Sequence, residues 1–337
     1  MKKNQQIILL NVLATILVVF GHSDITPDFK DLFIFKWIYS FHMPLFFFIS
    51  GFLFCLTNGI QKISFISFYK FSLKKIKRLI IPYLFITTLI FIIKAKFITD
   101  ESLMQHPISF SLTSYFDSLF IHPLGFLWFL PTLFCIFLII FPIWKFICIR
   151  FKNSIFKKSS ILILIAICFQ LLSKFLPDIP LLEFSASLHY SIYFIFGIVY
   201  CEFKNILDLF LKKYFFIVIT ATFVISLWYD LNIYVNAFNG ILLFITIALM
   251  MGNKVPKFIE NLSLLTYSIY LLSYFPQMFI RGPIAHNFSE INQYFLSGFS
   301  FICGLFIPIL IILSLKKIKE LYPKLNNLNK IDILLGI

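Results

Sequence analysis

The chain of 337 residues is 60% hydrophobic, 20% aromatic and 13% charged, with 47 phenylalanines and a formal charge of +14, against roughly 45–50% apolar and about 25% charged residues in soluble domains. Apolar runs close to the roughly 20 residues needed to cross a bilayer recur from Ile7 to Leu315, which excludes a soluble globular protein and a nucleic-acid-binding reading of the positive charge. No polar stretch between the runs is long enough to fold by itself, so one transmembrane domain over 1–337 is expected, with no appended soluble catalytic domain.

In chain order, Lys2 and Lys3 precede the first apolar run, which closes on Gly21, His22, Ser23 and Asp24 where a signal-peptide cleavage site needs small residues; a retained first span is expected. The runs predict an all-α polytopic bundle of about ten helices, at roughly 5–24, 36–56, 79–97, 126–148, 159–176, 186–203, 213–229, 235–252, 263–281 and 293–315. With the first residue in the cytoplasm, 23 of the 29 Lys and Arg fall on the cytoplasmic side and ten of the fifteen acidic residues outside. The positive-inside rule therefore places both termini in the cytoplasm. The six cysteines lie in or beside apolar runs without CxxC or ligand spacing, so neither a disulfide framework nor a metal site is expected.

Ionisable residues inside spans are costly and by default functional. His22 ends the first run beside Gly21, whose missing side chain suits a close approach. His42, in YSFHMPLFFFISGF, sits a few residues inside the second span if Lys36 and Trp37 mark its outer edge. The two spans are adjacent and antiparallel, so both histidines fall at comparable depth and are candidates to share one outer pocket. A neutral imidazole can take a proton from a hydroxyl, as acyl transfer requires, and that chemistry needs no metal. Helix bridging by hydrogen bonds is the structural alternative for both. Asn11 lies eleven residues before His22, on nearly the same helix face three turns away. The segment ISFYKFSLKKIKRLI mixes aromatics with Lys70, Lys74, Lys75, Lys77 and Arg78 and predicts an amphipathic helix at the cytoplasmic interface before Pro82 opens the third span. Trp128 is a candidate pocket wall, with core packing or an interfacial anchor as the alternative; Asp24, Asp28 and Asp31 are candidates to orient His22 or contact a substrate, with a solvated acidic loop as the alternative; and His189 is a lesser site candidate. His106, His122 and His286 are expected in solvated loops.

These segments resemble the integral-membrane acyltransferase family 3, in particular its branch of sugar O-acetylases, similar to fucose 4-O-acetylases. NVLATILVVFGHS, FHMPLFFFISGFLF, LKKIKRLIIPYLF, LGFLWFLPTLF and LTYSIYLLSYF resemble five family motifs in register. The resemblance implies transfer of an acyl group, usually acetyl from cytoplasmic acetyl-CoA as co-substrate, to a sugar hydroxyl of a surface polysaccharide or a lipid-linked precursor. It further implies a multi-pass protein of the bacterial cytoplasmic (inner) membrane whose partners are the bilayer and a carbohydrate acceptor. The family's first-helix histidine falls on His22 and its second-helix His-Met-Pro on His42, Met43 and Pro44. Its Arg-x-x-Arg falls on Lys75 and Arg78, implied contacts of the CoA phosphates. Three positions depart: Asn11 stands where the family has Arg or Lys, Phe126 where it often has His, and Ser273 where it often has His late in its Ile-Tyr-Leu-Leu helix. Asn11 is thereby a donor-side candidate and Ser273 a substrate-side one. A transporter of a glycan or small metabolite, and a family member that binds without turnover, are the alternatives.

Overall fold

The computed structural model describes residues 5–23, 31–57, 65–97, 108–152, 154–228, 232–251, 255–288, 290–321 and 328–335. Among them every regular element is helical: α1 (Gln5–Gly21), α2 (Phe33–Thr57), α3 (Phe65–Lys75), α4 (Ile81–Phe97), α5 (Leu112–Phe120), α6 (Phe129–Arg150), α7 (Ile155–Phe175), α8 (Phe184–Glu202), α9 (Lys204–Lys213), α10 (Phe215–Ser226), α11 (Ile233–Met251), α12 (Lys257–Ser263), α13 (Thr266–Leu272), α14 (Tyr274–Phe279), α15 (Gln293–Leu321) and α16 (Leu328–Leu335), with short 3₁₀ and π turns and one further helical turn, Ala285–Asn287. The protein is an all-α, multi-pass membrane bundle. Each of the ten apolar runs has a helical counterpart, but among the described residues seven helices are individually long and apolar enough to cross a membrane, or eight if α9 and α10 count as one.

The difference has local causes. Helices α9 and α10 meet at 86°, because α9 carries Lys204, Lys212 and Lys213 and leaves the apolar direction that α10 follows. The ninth run is interrupted between α13 and α14 and again by a π turn at Ile280–Ile284, where Pro276 and Pro283 remove amide donors. The first run is a 17-residue helix, about 25 Å long.

A second departure concerns the basic segment. It is not a separate interfacial helix: α3 passes through the π turn Ile76–Ile80 into α4, and Ser67–Lys96 is one apolar helix of 30 residues. Pro82 has no amide for the carbonyl of Arg78, four residues earlier. The chain absorbs this by widening a turn, with the Ile81 amide bonding to the Ile76 carbonyl. The hydroxyl of Tyr267 donates to the Arg78 carbonyl at 2.5 Å, supplying the donor that Pro82 lacks.

Helices α2 and α8 form the centre of the bundle. A side chain at Gly51 would lie 1.9 Å from the Phe194 carbonyl oxygen, and one at Gly197 would lie 2.1 Å from that of Phe48. The two glycines thus let the backbones touch reciprocally, the small-residue packing expected where lipid offers no hydrophobic drive between helices. Segments that the charge pattern assigns to one side lie together. Gln5 bonds to Glu260 and to the Val255 amide, and Gln6 bonds to Tyr200, while the opposite helix ends converge on the cavity described next.

Candidate active site

At that opposite end a cavity of about 140 Å³ is lined by His22, Tyr39, Ser40, His42, Met43, Pro44, Trp128, His189, Tyr190, Tyr193 and Ile233. It is assembled from the residue after α1, the first half of α2, the turn before α6, the first half of α8 and the first residue of α11. Seven of these side chains are aromatic or imidazole rings, an apolar enclosure with a few converging polar atoms.

The His22 and His42 rings stand edge to face with centroids 5.9 Å apart. His22 follows the last turn of α1, its amide bonded to the Val18 carbonyl. Its Nδ1 is 3.3 Å from the Tyr39 hydroxyl, and its ring lies 4.8 Å from that of Phe126. Tyr39 also packs edge-on against His42 at 4.9 Å. Gly21 does not serve a close approach: a methyl group there would meet the Tyr39 ring at 3.5 Å, an ordinary contact.

His42 is fully enclosed. Its Nδ1 lies 2.9 Å from the Ile38 carbonyl; a carbonyl only accepts, so Nδ1 carries the hydrogen and Nε2 holds the lone pair. That Nε2 is buried without a hydrogen-bond partner, the state expected of an acceptor awaiting a donor from a ligand. Two residues on, Pro44 leaves the Ser40 carbonyl without its helical donor, and both residues line the cavity.

Trp128 closes one wall, 5.1 Å from Tyr190 and 6.3 Å from Phe47 by ring centroids. The 3₁₀ turn Gly125–Trp128 that carries it begins at Gly125, whose φ of +61° and contact with Tyr274, 2.4 Å from any Cβ, admit only glycine. The turn also sets Phe126 over His22, and the hydroxyl of Tyr270 fixes the Phe126 carbonyl at 2.6 Å.

A family model described as an acyltransferase domain matches residues 4–315. The chain belongs to acyltransferase family 3. Comparison with curated proteins and with solved structures finds no match.

In this membrane acyltransferase the structure gathers four of the residues singled out in the sequence, His22, His42, Trp128 and the lesser candidate His189, in one cavity. The other described candidates lie apart from its lining. Asn11 is half-buried in α1, its carbonyl accepting from the Thr15 hydroxyl at 2.8 Å. Ser273 is buried, its hydroxyl 3.3 Å from the Tyr270 carbonyl that it donates to. Asp31 is exposed and paired with Lys36 at 3.1 Å. Asp24 lies outside the described residues, as do Asp28 and His106. His122 is exposed and bonds to Asp117 at 3.0 Å, and His286 is exposed.

Lys75 precedes the π turn and Arg78 lies within it, at the other end of the bundle. The Lys75 ammonium sits 3.3 Å above the centre of the Phe137 ring, a desolvated cation–π contact, and Arg78 is exposed. A chain of contacts links them to the cavity. Tyr267 holds the Arg78 carbonyl, Tyr270 lies one turn further along α13 and holds Phe126, and Phe126 packs on His22. Tyr39, Tyr190 and Tyr193 carry no sequence signal of their own among 15 tyrosines; their position beside a span histidine is what marks them.

Proposed function

We propose that this acyltransferase moves an acetyl group from cytoplasmic acetyl-CoA to a sugar hydroxyl of a cell-surface polysaccharide or lipid-linked glycan at the bacterial inner membrane. The observation that carries the reading is the convergence of His22 and His42 in one aromatic cavity, with the unpartnered Nε2 of His42 among its polar atoms. The acceptor hydroxyl enters this cavity. As its oxygen attacks the thioester carbonyl, His22 takes the hydroxyl proton, the C–S bond breaks, and the proton passes to the departing thiolate. Tyr39 orients the His22 ring, and the Nε2 of His42 accepts from another hydroxyl of the substrate, which holds the acceptor in place. The surrounding rings keep water out, which protects the thioester from hydrolysis and strengthens each polar contact.

On the donor side, Lys75 and Arg78 bind the CoA phosphates, and the thioester arm follows the Tyr267, Tyr270 and Phe126 route toward His22. Asn11 adds no charge to this route, so the basic helix carries the donor. Ser273 and Asp31, which lie apart from the cavity lining, are assigned no part in the chemistry.

Membranes containing the wild type or His22→Ala at equal expression, supplied with labelled acetyl-CoA, test the reading by the label that reaches cell-surface polysaccharide. Transfer by the wild type and a fall of about 10²–10⁴-fold in the variant is expected. Equal labelling by both proteins removes His22 from the mechanism, and a folded wild type that binds no CoA returns the protein to the transporter class.

A further inference from the structure

Facing the two histidines, a second polar group is built into the same cavity from α7, α8 and α11. Gln170 in α7 donates from its side-chain nitrogen to the backbone carbonyl of His189, which fixes the orientation of the amide because a carbonyl only accepts. Its oxygen therefore faces the Tyr234 hydroxyl, which donates to it at 2.8 Å. With its single hydrogen committed, the Tyr234 oxygen can only accept from His189 Nδ1, 3.5 Å away. Nδ1 thus bears the hydrogen and Nε2 is left as an acceptor. Tyr234 is itself anchored, its amide accepted by the Asn232 side chain at 2.8 Å in the first turn of α11. This is the tautomer that the Ile38 carbonyl imposes on His42. The cavity therefore carries two imidazoles held as hydrogen-bond acceptors, on different helices, with Trp128 and Tyr190 as ring walls beside them.

Two acceptors in one small aromatic cavity select a ligand with two donors at close spacing. Resting on the acyl-transfer reading above, we propose that His189, held by Gln170 and Tyr234, binds a second hydroxyl of the acceptor, so that the substrate is a ring bearing neighbouring hydroxyls and not a lone alcohol. The reacting hydroxyl gives its proton to His22, hydroxyls beside it donate to the Nε2 atoms of His42 and His189, and the ring lies against Trp128 and Tyr190. His189 contacts substrate; Gln170 and Tyr234 are positioning residues that set its tautomer.

A site built to bond a substrate hydroxyl rejects the analogue lacking it, because its own polar atom is then left unpaired. The test uses the full chain in lipid nanodiscs, labelled acetyl-CoA, and a set of methyl hexopyranosides with their monodeoxy counterparts, read by acetyl transfer and by calorimetric binding without donor. Wild type is expected to favour the best glycoside over its monodeoxy form by about tenfold or more in kcat/KM. Tyr234→Phe and His189→Phe bring that ratio close to one by raising KM, with kcat for the remaining hydroxyl largely kept, and His189→Gln, which retains an acceptor, restores part of it. A ratio unchanged in Tyr234→Phe and His189→Phe, or a fall in kcat at constant KM, overturns the assignment. If no glycoside binds the wild type while His22-dependent release of CoA persists, the ring-diol proposal fails and acyl transfer stands; if CoA release is absent as well, both fail together.

Discussion

The side-chain nitrogen of Gln277 donates to the carbonyl oxygen of Val19 at 2.7 Å. Val19 lies three residues before His22, where α1 ends: the His22 amide bonds to Val18 and the Ser23 amide to Phe20, passing over the Val19 carbonyl. The fully buried Gln277 fills that vacancy, and Gly304 makes room for it, since a side chain there would lie 2.9 Å from the Gln277 nitrogen. Helix α14 thus pins the turn that aims His22. Gln277→Leu leaves the carbonyl unpaired at a cost of about 1–3 kcal/mol, and a displacement of His22 near 1 Å lowers kcat about 10²-fold. Thermal unfolding and acetyl transfer measured on the same preparation check both parts. A lower melting temperature with kcat intact would show that the pin serves stability alone.

His42 separates stability from activity. Its buried Nε2 has no partner, so an apolar side chain of similar size relieves a desolvation cost. His42→Leu is expected to unfold at the wild-type temperature or above it while losing about 10²-fold or more in transfer. Its unfolding is read by loss of helical circular dichroism in detergent. A variant that loses both properties would mark His42 as a structural bridge between helices.

Gly51 and Gly197 occupy the same contact from opposite sides. Either Gly→Ala change pushes α2 and α8 apart at about 1–3 kcal/mol or more. Because the first substitution already separates the backbones, the second costs less, and the double variant is expected to fall short of the sum by at least about 0.5 kcal/mol. Strict additivity in a four-member unfolding cycle would show that the two contacts act independently.

Tyr267 and Pro82 are coupled through the Arg78 carbonyl. Tyr267→Phe is expected to destabilise by about 1–3 kcal/mol and to raise the donor KM by loosening the turn that presents Lys75 and Arg78. Pro82→Ala restores an amide at that carbonyl, so Tyr267→Phe costs less in its presence. Equal penalties in both backgrounds would sever the link.

The ten apolar runs and the sharing of one pocket by His22 and His42 were legible because depth in a bilayer follows from where a run begins and ends. The partners of His189 were not. Gln170 and Tyr234 lie 19 residues before and 45 after it in sequence, and helices that are apolar all round carry no periodic sign of which neighbour they face. Pro82 was read as the start of a span, its usual meaning. The π turn at Ile76–Ile80 removes that break, and its stabilising donor, Tyr267, comes from far along the chain. The bend between α9 and α10 was hidden because both helices fall within or beside one apolar run.

The bend has a consequence for the lipid. Helix α10 has 12 residues, about 18 Å of rise, against a hydrocarbon layer of about 30 Å. A shorter apolar helix draws the bilayer thin around itself. Asn239 ties α10 to α11 through Thr222 and Ser226, both at 3.0 Å, and the first turn of α11 brings Ile233 to the cavity. A leaflet thinned around α10 would bring headgroups closer to the depth of the histidines on that side of the bundle. On the proposed reading, an acceptor carried on a lipid would meet the cavity from that side.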